Sequence, residues 1–338
     1  MSKLVVRNEN LYGPAPACMK VLSSFSTDDA SRYIGGYNNS LLVPVLARRF
    51  SIPPQRILAG YGAEDILRMF FDSLAPGDSV LTHRLHYTFY SNYLRARNIP
   101  VHTFGLREKS TSVVFDFEDL FAKYHAHKSA LLLITSPNNP TGTTLSAREL
   151  ARIMKKVDRH CTVILDQAYL GFDQEYKEKP FRILLDRYPN LVYVRSFSKQ
   201  YALAGLRIGY ALCGSAIPSR INYQPSYLGM SRVLEQVALA ALSSGPYYRK
   251  IAKKIINDRI RFTVTINRCS HFKAFDSKAN FVYLHVDSER RDAFARALEN
   301  EITVLAKKIE PGYYRISIGL TRHMTHLSQL ISRLDREK

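Results

Sequence analysis

The chain has 338 residues, 46% of them hydrophobic, so it can bury a large core and is long enough for two domains. Its formal net charge is +19, but the basic residues are spread along the chain without a nucleic-acid motif. This distribution favours a basic surface that attracts anionic substrates over nucleic-acid binding. No apolar run reaches membrane-spanning length, the start lacks a signal-peptide core, and the four cysteines are scattered, which predicts a cytoplasmic protein with reduced thiols.

Short apolar runs alternate with helical patterns from residue 57 onward. The runs are Ile57–Ala59, Ser79–Leu81, Val101–Phe104, Ala130–Ile134, Val163–Leu165, Leu191–Val194 and Ile208–Leu212. Most are continuously apolar, as expected for strands buried on both faces of a mainly parallel sheet. Helical segments such as 63–74 and 147–158 separate several of them, which predicts a doubly wound α/β domain. In such a sheet, ligands bind beyond the carboxyl ends of the strands.

The residues after the first two runs suit a phosphate and an aromatic ligand. The first run is followed by Gly62, Ala63 and Glu64 at the start of a helical segment. Glycine lets the backbone approach a ligand, and a helix start offers free N–H groups to a phosphate. The second run is followed by Tyr87, which either packs in the core or faces a ligand.

Polar side chains also follow the fourth and fifth runs. Asn139 lies in the turn Pro-Asn-Asn-Pro-Thr-Gly, where it either caps the loop or contacts a ligand. Asp166 follows the fifth run, and Tyr169 comes three residues later. A buried carboxylate needs a partner, and the protonated ring nitrogen of a cofactor would be one.

The sixth run leads into Arg-Ser-Phe-Ser-Lys-Gln-Tyr-Ala-Leu-Ala-Gly-Leu-Arg-Ile-Gly, residues 195–209. Lys199 follows the hydroxyls of Ser196 and Ser198, and Arg207 comes eight residues later. A lysine amine at a strand end can condense with an aldehyde cofactor when its pKa is lowered. The two hydroxyls and Arg207 could hold a phosphate beside it.

The pattern changes after about residue 245. We expect residues 41–245 to form the larger, ligand-binding domain and residues 246–338 a smaller α+β domain, which residues 1–40 join. Within the smaller domain, 280–284 and 313–319 predict strands. Arg315 on the second of these is either an edge residue or an anion clamp.

Taken together, these motifs resemble the fold-type I pyridoxal-phosphate (PLP) enzymes, and in particular the histidinol-phosphate aminotransferase family. The resemblance extends to Asn-Glu-Asn-Leu-Tyr-Gly-Pro at residues 8–14 and covers nearly the whole chain. It implies a homodimer without a metal, in which a mainly parallel seven-stranded sheet is sandwiched by helices and joined by a smaller α+β domain. It also implies active sites near the subunit interface.

The resemblance implies a role for each matched residue. Lys199 would carry PLP and move the substrate proton, Asp166 would keep the ring nitrogen protonated, and Tyr169 and Asn139 would share the phenolic oxygen. The other implied cofactor contacts are Gly62, Ala63, Glu64, Tyr87, Ser196, Ser198 and Arg207. Tyr33, or alternatively Tyr37, would reach the cofactor phosphate of the partner subunit. The implied substrate contacts are Arg315, Asn139 and Tyr12.

The substrate is where this chain departs from the family. The family commonly carries a second arginine upstream of the position matched by Arg315, whereas this chain has Leu305 there. Lys307 or Lys308 could substitute as a point charge. Three hypotheses stay open. The first is an aminotransferase that transfers an amino group between an amino-acid or amino-phosphate donor and a 2-oxo acid. The others are a PLP decarboxylase resembling threonine-phosphate decarboxylase and a non-enzymatic nucleic-acid-binding protein of the same fold.

Overall fold

The computed structural model of the chain describes residues 7–33, 40–221, 230–300 and 306–337. The helices of these residues are α1 (Pro16–Ser23), α2 (Thr27–Ser31), α3 (Leu42–Phe50), α4 (Ala63–Asp72), α5 (Thr88–Arg95), α6 (Phe117–His127), α7 (Ala147–Lys156), α8 (Glu178–Arg187), α9 (Arg232–Ser243), α10 (Gly245–Ile266), α11 (Arg291–Asn300) and α12 (Thr321–Arg336). None of these helices combines the length and the apolar character needed to cross a membrane.

The strands of the described residues belong to three sheets. They are β1 (Ile57–Gly60), β2 (Val80–His83), β3 (Val101–Phe104), β4 (Leu106–Glu108), β5 (Val113–Phe115), β6 (Leu131–Thr135), β7 (Thr162–Asp166), β8 (Leu191–Ser196), β9 (Gly209–Cys213), β10 (Phe272–Ala274), β11 (Phe281–Val286), β12 (Ala306–Glu310) and β13 (Tyr313–Ser317). The largest sheet has seven strands in the order β1-β9-β8-β7-β6-β2-β3, a second has four in the order β10-β11-β13-β12, and β4 pairs with β5.

The seven-stranded sheet is built from the seven apolar runs that the sequence predicts as strands. Strands β8, β7, β6, β2 and β3 are parallel to their neighbours in this order, whereas β9 is antiparallel to both β8 and β1. The expected mainly parallel α/β sheet is therefore confirmed. Its parallel strands bring the ends of β6, β7 and β8 to one edge, where ligands bind in such sheets.

Both faces of this sheet are covered, which explains why its strands are continuously apolar. In β7, Val163 and Leu165 pack into one core cluster and Ile164 packs into another. Because successive side chains of a strand point to opposite faces, these two clusters lie on the two sides of the sheet. Helix α7 starts where it does because Ser146 and Glu149 form a reciprocal cap, with the Ser146 N–H 2.8 Å from Glu149 Oε2.

The four-stranded sheet is antiparallel and packs with α10, α11 and α12 around its own core, which contains Phe262, Leu284, Ile316 and Leu327. Asn8 contacts this sheet, because Ser317 donates a hydrogen bond to Asn8 Oδ1, while α1 packs on α9. The division into residues 1–40, 41–245 and 246–338 stays a prediction.

Candidate active site

A cleft of about 740 Å³ lies between the ends of β6, β7 and β8 and the four-stranded sheet. It brings together most of the residues that the sequence predicts for the site. Those residues are Ala63, Glu64, Tyr87, Asn139, Asp166, Tyr169, Ser196, Ser198, Lys199, Arg207 and Arg315. Residues that are more than a hundred positions apart along the chain therefore share one site.

Asp166 is a buried carboxylate at the end of β7, with only 4% of its surface exposed. Its Oδ2 accepts a hydrogen bond of 2.5 Å from the Tyr90 hydroxyl, and its Oδ1 accepts one of 2.9 Å from the Ala168 N–H. Burial raises the pKa of Asp166 above its ordinary value, although both hydrogen bonds act against this shift. Both of these donors are neutral, and no side-chain cation of the described residues forms an ion pair with Asp166.

Lys199 lies three residues beyond the end of β8 and is half-buried. Its Nζ donates a hydrogen bond of 2.6 Å to the Arg7 carbonyl oxygen and lies 5.6 Å from the centre of the Tyr169 ring. Burial lowers the pKa of Lys199 to about 8, and the charge of Arg315 adds to this effect, whereas the Glu9 carboxylate opposes it. A substantial fraction of the amine is therefore neutral near neutral pH, as a nucleophile requires.

One end of the cleft is built to hold an anion. Ser198 Oγ accepts a hydrogen bond of 3.4 Å from Arg207 Nη1, and Ser196 Oγ accepts one of 3.0 Å from the Ser198 N–H. Arg207 also lies against the start of α4, where Gly62 has a positive φ of 95°. A Cβ at Gly62 would come within 2.8 Å of Arg207 Nη2 and would displace the guanidinium, and the positive φ itself favours glycine.

Glu64 and Tyr87 meet beside this anion-binding end. The Tyr87 hydroxyl donates a hydrogen bond of 2.7 Å to Glu64 Oε1, and Glu64 Oε2 lies 3.5 Å from Arg207 Nη2. Burial, followed by the hydrogen bond to Glu64, raises the pKa of Tyr87 far above its ordinary value. The ring of Tyr87 lines the cleft and also contacts Tyr90 edge to face, with 5.8 Å between the ring centres.

Two further side chains point polar groups into the centre of the cleft. Tyr169 Oη accepts a hydrogen bond of 3.1 Å from Asn8 Nδ2, and its ring packs edge to face on Phe281. Asn139 Oδ1 accepts a hydrogen bond of 2.8 Å from Arg315 Nη1. Arg315 is buried on β13, and this burial lowers its pKa.

Gly62, Tyr12 and Tyr33 are not among the residues that line this cleft, although Gly62 lies directly against Arg207. Tyr33 is 81% exposed, and Tyr37 lies outside the described residues. Tyr12 is held elsewhere, with its hydroxyl 3.5 Å from Asp258 Oδ2 and 3.4 Å from Thr321 Oγ1. The expected contact of Tyr33 with a partner subunit and the expected substrate contact of Tyr12 stay predictions.

The cleft also contains polar residues that the sequence analysis does not assign to it. They are Arg7, Glu9, Tyr90 and Thr135, whereas Lys307, which also lines the cleft, is named above as a point charge that could replace the second arginine. For two of them a signal was present. Tyr90 follows Tyr87 by one helical turn, and Glu9 lies within the Asn-Glu-Asn motif that begins residues 8–14, which we call the entry segment.

The residues of the cleft fit PLP at three separate points. A buried carboxylate with only neutral donors, Asp166, suits a protonated ring nitrogen. The Ser196, Ser198 and Arg207 group at the start of α4 suits a phosphate. The amine of Lys199, with its lowered pKa, suits condensation with an aldehyde.

Comparisons with known proteins point the same way. Residues 7–334 match the model of the family described as aminotransferase class I and II. The histidinol-phosphate aminotransferase of Staphylococcus carnosus is 28% identical over 331 residues, which are 98% of this chain and 90% of the relative.

Among solved structures, the histidinol-phosphate aminotransferase of Sinorhizobium meliloti in complex with pyridoxal-5′-phosphate has a TM-score of 0.86 and 24% identity, covering 99% of this chain and 91% of that one. The L-threonine-O-3-phosphate decarboxylase of Porphyromonas gingivalis has a TM-score of 0.77 and 20% identity, covering 96% and 97%. Proteins with two different named activities therefore share this fold, and the fold alone does not choose a substrate.

Proposed function

Since this chain belongs to the aminotransferase class I and II family and is a PLP-dependent aminotransferase, we propose that its amino donor carries an anionic group held by Arg315 and Lys307. The acceptor in this proposal is a 2-oxo acid. Histidinol phosphate, the substrate named for the relatives, is the first donor to test. The observation that carries the proposal is a pair of cations on one face of the four-stranded sheet.

Strand register places these two cations side by side. Lys307 of β12 pairs with Arg315 of β13, and both side chains line the cleft. Paired residues of neighbouring strands project from the same face of a sheet. Lys308 pairs instead with Tyr314, so its side chain belongs to the opposite face.

Lys307 is available for an anion. Burial lowers its pKa, and so does the charge of Arg315, which shows that the two cations repel each other. Lys307 forms no ion pair with a carboxylate of the described residues. An anionic group on the donor would relieve the repulsion between the two cations. Lys307 would therefore serve as the second cation, near the position in the sequence where the family has its second arginine. It would act as a point charge, without the paired hydrogen bonds of an arginine.

The proposed roles of the remaining residues follow from their contacts. When bound, PLP supplies an electron-withdrawing ring that stabilises negative charge at the substrate Cα. Asp166 keeps a proton at the ring nitrogen, because its burial makes an uncompensated charge costly. Lys199 Nζ would take the proton from the substrate Cα and deliver it to the cofactor carbon that gains the amino group. Its pKa of about 8 leaves part of the amine neutral, and so able to accept a proton, near neutral pH.

We also propose a cytoplasmic homodimer. Its support is the exposure of Tyr33, a large aromatic side chain that leaves 81% of its surface accessible on a single chain. The cytoplasmic location is supported by the four cysteines, all of which are unpaired and three of which are buried.

The donor is tested with the purified PLP-loaded protein and a panel of histidinol phosphate, histidinol, histidine, glutamate and threonine phosphate. Conversion of the cofactor spectrum reports amino transfer, and released CO2 reports decarboxylation. We expect the phosphate-bearing donors to react with a kcat/KM higher by tenfold or more than histidinol, which lacks the phosphate. Equal rates with and without the phosphate would contradict the proposed donor class, and CO2 release without keto-acid-dependent transfer would support the decarboxylase instead.

Lys307→Met tests the cation pair, with Lys308→Met as its matched control on the opposite face. We expect Lys307→Met to raise KM for histidinol phosphate by up to about fivefold, since an ion pair that is partly exposed contributes at most roughly 1 kcal/mol. Lys308→Met should leave KM unchanged. Equal effects of both variants would show that only the net charge matters.

A further inference from the structure

Asn8 is a buried polar residue that joins the entry segment to both sides of the cleft. Only 1% of its surface is exposed, and its backbone has a positive φ of 57°. Asparagine is one of the few residues with a side chain that adopts this left-handed conformation readily. Its side chain reaches Tyr169 on one side and Ser317 on the other. A residue that combines an unusual backbone conformation with a fully bonded side chain holds a defined geometry.

The hydrogen bond between Asn8 and Tyr169 has a fixed direction. Asn8 Nδ2 donates to Tyr169 Oη over 3.1 Å, and an amide nitrogen has no lone pair with which to accept. The phenolic proton of Tyr169 therefore cannot be directed at Asn8. It remains available to an acceptor in the cleft that Tyr169 lines.

The orientation of the Asn8 amide is itself held in place. Ser317 Oγ donates to Asn8 Oδ1 over 2.6 Å, which turns Nδ2 toward Tyr169. Asn280 Nδ2 donates to the Asn8 carbonyl oxygen over 3.0 Å and fixes the backbone. The neighbouring Arg7 carbonyl accepts the Lys199 Nζ hydrogen bond, so this short segment contacts two of the proposed catalytic side chains.

Asn139 on the other side of the cleft is oriented in the same way. Asn139 Oδ1 accepts the hydrogen bond from Arg315 Nη1. The donor group of the same amide, Nδ2, is therefore turned away from Arg315 and is available to the cleft that Asn139 lines. Two hydrogen-bond donors, the Tyr169 O–H and the Asn139 N–H, are each directed by a separate residue. Both of these directing residues come from outside the seven-stranded sheet.

We propose that Asn8 is a positioning residue that directs the Tyr169 hydroxyl as a hydrogen-bond donor toward the phenolic oxygen of bound PLP. The proposal rests on the proposed role of Tyr169. A donor aimed at that oxygen stabilises its negative charge and so weakens its hold on the neighbouring imine proton. Asn8 thereby lowers the pH at which the lysine-bound cofactor loses this proton, without touching the cofactor itself.

The test is a spectroscopic pH titration of the PLP-loaded protein without substrate. Asn8→Gly keeps the left-handed backbone accessible and removes both side-chain hydrogen bonds. We expect the pH midpoint of the cofactor absorbance change to rise by about 0.5–1 unit, the shift that corresponds to one lost hydrogen bond. Tyr169→Phe should raise it in the same direction, and adding Asn8→Gly to Tyr169→Phe should cause no further shift.

Asn10→Ala is the matched control in the same segment. Asn10 Nδ2 contacts the Gln200 carbonyl, and Asn10 is also buried, but it does not contact Tyr169. Its loss should loosen the segment and leave the midpoint unchanged. Equal shifts in Asn8→Gly and Asn10→Ala, or an unshifted Asn8→Gly, would overturn the inference. If the wild-type protein shows no absorbance band of lysine-bound PLP that titrates, both the proposed function and the role of Asn8 fail. If the wild-type band titrates normally, the result for Asn8→Gly tests the role of Asn8 alone.

Discussion

Asp166 and Arg195 are buried ionisable side chains at the ends of adjacent strands, β7 and β8, yet their hydrogen-bond partners differ in charge. Arg195, 5% exposed, donates to both carboxylate oxygens of Glu178 over 3.0 and 2.8 Å, and to the Tyr176 hydroxyl and Gln167 Oε1. Among the described residues, Asp166 accepts hydrogen bonds only from the neutral donors Tyr90 and Ala168.

The pKa shifts of the two groups express the same difference. Burial acts to lower the pKa of Arg195, but the nearby phenols of Tyr210 and Tyr176, followed by Glu178, raise it above its ordinary value, so the charge is stabilised within the chain. Burial raises the pKa of Asp166, so its charge is destabilised until a cation arrives. The surroundings of Arg195 are typical of a charged side chain with a structural role. Those of Asp166 are typical of a charged side chain whose counter-charge comes from a ligand.

Asp166→Asn should have the largest effect on activity. An amide cannot stabilise a protonated ring nitrogen as an anion does, and we expect kcat to fall by about a hundredfold or more while PLP stays bound. The same change removes a buried charge, so the apoprotein should be no less stable to urea than wild type. Near-normal turnover with PLP bound, or clear destabilisation of the apoprotein, would place Asp166 in the same class as Arg195.

Arg315→Lys tests the proposed substrate anchor on the opposite wall of the cleft. Lysine keeps the charge but loses the paired hydrogen bonds, at a cost of roughly 1.5–3 kcal/mol, or about ten- to more than a hundredfold in kcat/KM. Steady-state kinetics with the best donor would measure this loss. PLP binding should be unchanged, since Arg207 and the start of α4 are intact, and a variant that instead loses PLP would contradict the assignment.

Glu178→Gln tests the structural side of the comparison. It leaves the buried Arg195 without its anion, and we expect the free energy of unfolding to fall by about 1–3 kcal/mol, because Glu178 itself is partly exposed. Activity per folded molecule should not change. Glu175→Gln, which breaks the exposed pair with Lys278, is the control and should cost less than about 0.5 kcal/mol. Urea unfolding of both variants separates the two cases.

The pH dependence of PLP attachment gives the smallest expected effect. Because the pKa of Lys199 is lowered to about 8, the neutral amine becomes the major form as the pH rises through that value. The rate of PLP attachment to the apoprotein should rise about tenfold from pH 7 to 9 and then level off. Free lysine, with its higher pKa, should continue to accelerate above pH 9, and Lys199→Ala should show no borohydride-trapped cofactor at this position.

Much of the fold was predictable because it depends on local patterns. Continuously apolar runs predict strands covered on both faces, and all seven runs from Ile57 to Leu212 form strands of one sheet. Because the carboxyl ends of parallel strands lie at the same edge of a sheet, the polar residues after these runs were expected to lie close together at that edge. Asp166, Lys199 and Asn139 do line one cleft. The antiparallel direction of β9 and the short strands β10 and β12 carry no comparable signal.

The sequence by itself determined which segments form strands of the large sheet and which chemical groups follow each strand, because periodicity and motifs are properties of neighbouring residues. Only the tertiary structure decided which of these groups form hydrogen bonds with each other. Tyr90 reaches Asp166 across 76 positions, and Asn8 reaches Tyr169 across 161. Hydrogen bonds and burial depend on distances in space, which no local pattern specifies. For that reason, the contrast between Arg195, which is paired with a carboxylate, and Asp166, which accepts hydrogen bonds from neutral donors, is visible only in the folded chain.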